Sequence, residues 1–293
     1  MILMRKSYLL TIFFLAMLFG SDFMFIKIGI SSINPSLFTS LRFLIASVSL
    51  LIFIKIKKIN IKLETKDFVI VIFAALFDTF LPQMLISHGE KSVASGITSI
   101  ILSSSPIFTF LLAHFLLKDE KITFYKMFFV ITGFVGVLII FLKELFNGQH
   151  SFLLSGLILI ILASLSYGLG VILLKKLGDR IDSVKSCFYL IATSFFLSLP
   201  FSIFSKGFSA TKLTLPSTLA LIFVGIALQG FGYTFFFESI KKFGASKASY
   251  LGYLVPLFGM LYGSIFLKES LTIFVLLGAG LIIFSAYFIE RNK

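Results

Sequence analysis

The chain has no tryptophan and a single cysteine, Cys187, among its 293 residues. One cysteine closes no internal disulfide and forms no C-x-x-C pair, so a disulfide framework and a thiolate metal site are both excluded. The three histidines, His88, His114 and His150, stand too far apart for an H-x-x-x-H metal pair, and neither G-x-S-x-G nor G-x-x-x-x-G-K-[ST] occurs. Without a P-loop, ATP cannot drive the protein by that route. Charge is scarce too: 13% of residues are charged, against roughly 25% in ordinary globular domains. No clustered catalytic set is present. The sequence is therefore not read as an enzyme, and it calls for no cofactor and no metal.

What fills the chain instead is apolar: 58% of residues are hydrophobic and 39 are phenylalanine. A bilayer core needs about 20 consecutive apolar residues per helix. Such runs recur at residues 7–30, 35–54, 68–87, 93–117, 127–142, 152–174, 187–204, 217–237, 248–267 and 271–289. These predict an all-α integral membrane protein with ten transmembrane helices and no soluble domain. The first run has the basic flank of a signal peptide in Arg5 and Lys6, but its apolar stretch continues past Asp22 without an A-x-A-like site, so an uncleaved first helix is expected. With no tryptophan, an interfacial aromatic belt must rest on tyrosine.

The net charge of +13 comes from 26 basic and 13 acidic residues. With the N-terminus cytoplasmic, 19 of the 26 basic residues fall in inner segments and 6 in outer ones, leaving Arg42 within a span. This is the positive-inside pattern. It places both termini in the cytoplasm and explains the basic character without any nucleic-acid partner.

The sequence also repeats itself. IFAALFDTFLPQ at 72–83 lies 150 residues before IFVGIALQGFGY at 222–233, and Pro106 lies 150 before Pro256. FLLKDEKIT (115–123) matches IFLKESLT (265–272) with one gap, and FGSDFMFIK (19–27) sits over YGLGVILLK (167–175), a spacing of 148. Two repeats follow, 1–146 and 147–293, with five spans each. An odd number of crossings inverts the second copy relative to the first, the plan of many secondary transporters. Duplication for structure alone is the competing reading.

These features carry a family resemblance. Ten spans as five plus five, G-S-D-F-x-x-x-K in the first, Pro35 followed by Arg42 in the second, and a fourth span with its proline followed by L-K-D-E resemble the EamA-like family of the drug/metabolite transporter superfamily. The resemblance covers almost the whole chain. It implies a bacterial inner-membrane carrier working by alternating access, with a central cavity lined by the first, third, fourth, sixth, eighth and ninth helices. Phe19 stands where tryptophan is common in such proteins, and Lys118-Asp119-Glu120 and Lys268-Glu269 stand where Gly-Glu is usual. The implied function is export of amino acids or related metabolites. Uptake of a nucleotide-like metabolite, or a structural role without transport, are the alternatives. An ion channel would need a continuous polar stripe or a charged ring, and only scattered polar sites are present.

Polar groups in mid-span tend to face the bundle interior or a water-filled cavity. On that ground the pathway candidates of the third helix are Asp78, Thr79 and Gln83, the last two sharing a face by their spacing of four. Gln229 and Tyr233 are their counterparts in the second half. Asp78 is the candidate for a coupling proton or a substrate amine; a carboxylate neutralised by a neighbouring helix is the alternative. Ser103, Tyr167, Tyr250 and Tyr253 complete the pathway set, and Pro106 and Pro256 are expected to kink their helices. G-x-x-x-G at 259–263 reads as close helix packing. Glu90 with Lys91, at the outer end of the third span, reads as an interfacial pair. Lys27 is expected to snorkel to water.

Asp22 and Arg42 pose a separate question. At about 1.5 Å per residue, each lies roughly 9–10 Å inside the same end of two antiparallel spans. Charges within a membrane tend to pair. An ion pair facing the bundle interior is expected, against the alternative that each charge meets a different neighbour.

Overall fold

The computed structural model describes residues 2–116, 124–146, 150–177, 182–205, 207, 211–243 and 251–291. Among the described residues the regular structure is all helical. Seven helices are long and apolar enough to cross a bilayer: Leu10–Ile30, Pro35–Lys57, Lys66–Gly89, Ser95–Leu116, Leu153–Leu174, Ser183–Phe204 and Leu215–Phe236. Met127–Ile140, Leu251–Leu267 and Ile273–Phe288 are shorter apolar helices.

Local chemistry sets the boundaries. Helix α1 (Ile2–Ile30) turns into α2 (Pro35–Lys57) at Asn34, whose side chain accepts the Ser36 N–H at 3.0 Å. Pro35 opens α2 where its missing donor costs nothing. The α2 helix ends at Lys58 in the left-handed conformation, φ 52°. Similar caps start α9 (Ser183–Phe204), where the Asp182 carboxylate accepts from Val184 N, and α10 (Leu215–Phe223), where Thr214 and Ser217 form a capping box.

Two spans change helical type midway. The third runs as α3 (Thr65–Ala74), a π-helical segment Ala75–Phe80, and α4 (Leu81–Gly89). Pro82 gives one reason: it has no N–H for the carbonyl four residues earlier, at Asp78, and its ring crowds that carbonyl. Leu81 N–H reaches back five residues, to Leu76. The eighth span repeats the device as α10, a π-helical segment Val224–Gly232, and α11 (Tyr233–Phe243). There Gly225 and Gly230 let the helix approach α2 closely, because a Cβ on either would lie 2.7–2.8 Å from Ile45 or Ser49.

The fourth span is broken. Helix α5 (Ser95–Leu102) stops at Ser103 and α6 (Ser105–Leu116) restarts with Pro106 in its first turn. The Ser103 and Ser104 hydroxyls donate to Ile100 O and Ile101 O, both at 2.6 Å, and so satisfy carbonyls at the break. The remaining elements are α7 (Phe124–Phe146), α8 (His150–Leu177), α12 (Leu251–Leu267) and α13 (Ile273–Arg291). Pro256 lies inside α12, which continues through it.

The bundle packs α1 on α12, α2 on α9, α3 and α4 on α8, α6 on α8, and α7 on α13. Small residues sit at these crossings. A Cβ on Gly259 would overlap Ser99 of α5, so the G-x-x-x-G of α12 is a packing surface. Polarity runs inside out. Thr39, Ser164, Ser194 and Ser285 are fully buried, whereas Phe13, Phe128, Phe196 and Phe204 are exposed. That inversion suits hydrocarbon as solvent, because lipid offers polar groups no partner.

Candidate functional site

The largest fully buried side chain is that of Arg42, on α2. A guanidinium carries five N–H donors in a rigid fork, and four elements of the bundle converge on this one. Nη2 lies 3.1 and 3.2 Å from the two carboxylate oxygens of Asp22 on α1, so the ion pair expected from depth is present. Nη1 donates to Gln83 Oε1 on α4 at 2.8 Å, and Nη2 also donates to Gln229 Oε1 in the second π segment at 3.0 Å. The two amides thus orient their oxygens toward the cation. The other face of Gln83 is used as well: Nε2 donates to the Tyr167 hydroxyl on α8 at 2.9 Å.

Tyr233 completes the ring of contacts. Its hydroxyl is within hydrogen-bonding reach of Tyr167, and its ring meets Phe19 edge-on, centroids 5.5 Å apart. In the repeat, Phe19 aligns with Tyr167 and Gln83 with Tyr233. The Phe19–Tyr233 contact and the Tyr167–Gln83 hydrogen bond are therefore the same pair of positions seen from the two halves. Six of the residues singled out from the sequence, Asp22, Arg42, Gln83, Tyr167, Gln229 and Tyr233, meet in one buried cluster.

Two donors in this cluster are left over. Arg42 Nε and Gln229 Nε2 are buried and have no partner among the described residues. An unmade buried hydrogen bond is costly. Two such donors on adjacent side chains form a site suited to an oxygen acceptor, and a carboxylate supplies two.

The other candidates separate. Asp78 is buried in the first π segment, where a Cβ on Gly170 of α8 would lie 2.5 Å from the Asp78 Cβ. Its carboxylate makes no hydrogen bond or ion pair among the described residues. Thr79 is buried beside it. Ser103 bonds its own helix, as above. Tyr253 donates to Ala286 O of α13 at 3.0 Å and belongs to the α12–α13 contact, not to the Arg42 cluster. Tyr250 lies outside the described residues, as do Lys118, Asp119 and Glu120.

Two expectations are corrected. Glu90 does not form an interfacial pair with Lys91: it is completely buried while Lys91 is exposed. Gly89 lets α8 come within reach of the end of α4, and the next residue is covered. Nor does Lys27 reach out to water. Its Nζ donates to the main-chain carbonyls of Glu90 and Val93, the latter at 2.8 Å. Sequence reasoning also missed Glu269, whose carboxylate accepts from Ser95 N at 2.7 Å, Gly96 N at 2.9 Å and Ser95 Oγ at 3.0 Å, capping α5. Its place in the repeated acidic turn was the available signal.

A groove of about 620 Å³ opens between α2, α4 and α9, lined by Ser36, His88, Pro200, Phe201, Phe204 and Ser205. His88 Nε2 is 3.3 Å from Ser36 Oγ there. The groove lacks acidic residues and arginine, and the ionic chemistry sits in the buried cluster instead.

Comparison with known proteins adds ancestry to this geometry. The sequence pattern of the EamA-like transporter family matches the chain twice, over residues 6–142 and 154–291. An uncharacterized transporter of Bacillus subtilis, YoaV, is 31% identical over 277 residues, covering 94% of this chain and 93% of that one. A protein of Salmonella typhimurium named as a probable amino-acid metabolite efflux pump is 25% identical over 286 residues, covering 94% and 93%. The namesake in Escherichia coli is 24% identical over 276 residues, covering 92% and 89%. A crystal structure sharing 16% identity superposes over 98% of both chains with a TM-score of 0.66, which establishes a common fold and nothing finer. Helices fit to cross a bilayer, a charged cluster buried among them and a family match along both halves agree: this multi-pass membrane protein belongs to the EamA-like transporter family.

Proposed function

We propose that the protein is a secondary transporter working by alternating access, and that it exports amino acids or related small metabolites across a bacterial inner membrane with both termini in the cytoplasm. The observation that carries this reading is the Arg42 cluster. It joins α1, α2, the third span and the eighth span at one buried point, and two donors there, Arg42 Nε and Gln229 Nε2, are free to receive a carboxylate. Asp78, buried without a partner, provides a counterpart for an amine or for a coupling proton. The names carried by the Salmonella and Escherichia relatives point the same way.

The scaffold in this reading is ten spans arranged as two inverted repeats, 1–146 and 147–293. Three observations support it. The family pattern matches once in each half. A π segment interrupts the third and the eighth span at corresponding places. The packing is paired: α1 on α12 answers α6 on α8, and α1 on α10 answers α3 and α4 on α8. The test is a screen of amino acids and related solutes with purified protein in liposomes, with and without an imposed proton gradient. Protein-dependent flux of an amino acid, abolished by Gln229→Ala, is the expected result. Absence of flux for every such solute, in either direction, overturns the reading.

A further inference from the structure

Glu90 ends α4 in full burial, and neither of its carboxylate oxygens has a hydrogen-bond partner among the described residues. The nearest cation does not serve it. Lys27 Nζ, from α1, is held by the carbonyls of Glu90 and Val93, and so ties α1 to the α4–α5 turn through the backbone. Glu269, after α12, is committed to capping α5. The other charges facing Glu90 are Asp22 of α1 and Arg42 of α2, which pair with each other. Helix α8 covers this end through Gly156 and Ile160 and bears no charged residue from Leu153 to Leu174, and α5 bears none.

A buried carboxylate ion without a donor is strongly disfavoured, and the neutral acid is the form that fits this site. Burial accordingly pushes the Glu90 carboxyl well above the usual carboxylate range; Lys27 opposes the shift, and Asp22 and Glu269 add to it.

We propose that Glu90 is a proton-binding site of the transport cycle, at the end of the bundle bearing the α1–α2 turn. When Glu90 releases its proton to water at that end, Lys27 Nζ leaves the two carbonyls for the new carboxylate, and α1 is untied from the α4–α5 turn. Rebinding the proton restores the tie. This rests on the transporter reading, but its test needs no substrate and so fails or succeeds separately.

The test is infrared difference spectroscopy of the whole protein in lipid vesicles, titrated with pH. A protonated-carboxyl C=O band is expected to persist well above the pH at which exposed carboxylates ionise. Glu90→Gln should remove it. Lys27→Gln should move its loss to higher pH, because the cation that favours ionisation is gone. Should Glu90→Gln fail to insert, Glu90→Asp should shift the band frequency. A parent without such a band, or a variant at position 90 that leaves it unchanged, overturns the proposal. In a second arm, spin labels at Ser31→Cys and Lys91→Cys, with Cys187→Ala, should separate as pH rises through the same transition. Glu90→Gln should hold them at one distance; separation identical to the parent's overturns the switch.

Discussion

Gln83 and Gln229 grip one guanidinium from opposite halves of the chain, each presenting its amide oxygen to Arg42, at 2.8 and 3.0 Å. The two are not repeat-equivalent: Gln83 aligns with Tyr233, and Gln229 with Thr79. Arg42 also has no counterpart in the second half. A single cation therefore sits across an otherwise duplicated scaffold, and any motion of one half against the other must break or stretch one of these two hydrogen bonds.

The Asp22–Arg42 pair should behave as a unit. Removing one partner of a buried ion pair strands the other, at a cost of about 3–5 kcal/mol. Asp22→Asn and Arg42→Gln should each lower folded yield and thermal stability in detergent, and the double variant should recover part of the loss. Strictly additive losses would show that the two charges are energetically independent despite their contact.

Asp78→Asn keeps the size of the side chain and removes its charge. The variant should insert and fold, whereas flux in liposomes should fall and become independent of pH. Parent-like flux at every pH would leave Asp78 as a packing residue opposite Gly170.

Glycines on α12 should differ sharply in tolerance. A Cβ at Gly259 meets Ser99, while one at Gly252 meets nothing within 4 Å. Gly259→Val should destabilise by about 1–3 kcal/mol through overpacking. Gly252→Ala should be neutral or stabilise by roughly 0.5–1 kcal/mol, the usual gain in a helix. Thermal unfolding of the two variants side by side decides the matter; equal effects would contradict the packing described.

Topology is directly testable by reporter fusions. Those after Lys62, Arg180 and Lys293 should report cytoplasm, and those at His150 and Lys212 the outside. Two reversed signals would be incompatible with the five-plus-five inverted arrangement.

Some of this site is legible in the sequence because helix geometry is regular. A fixed rise per residue puts Asp22 and Arg42 at one depth, and the 150-residue spacing marks Gln83 and Gln229 as polar positions of related spans. What could not be read depends on contacts between helices. Glu90 stands next to a lysine at the end of a span, the pattern of an exposed pair, and only the approach of α8 at Gly89 buries it. Tyr253 looked like a cavity wall until α13 was seen to supply its acceptor at Ala286. Asp78 and Thr79 lie in a stretch whose helical phase is not the one assumed in placing Thr79 and Gln83 on a common face.

That change of phase has a consequence for how the chain tolerates insertions and deletions. A π turn is an α-helix carrying an extra residue, and one residue is worth about 100° of rotation. Deleting a residue within Ala75–Phe80 would let the third span relax to regular α-helix at little cost to its own hydrogen bonds. It would also swing everything after it, Gln83 and Glu90 included, roughly a quarter-turn away from Arg42 and Lys27. The length of each irregular stretch is thus a setting of rotational register, and a one-residue deletion there should leave a well-formed helix aimed at the wrong neighbours.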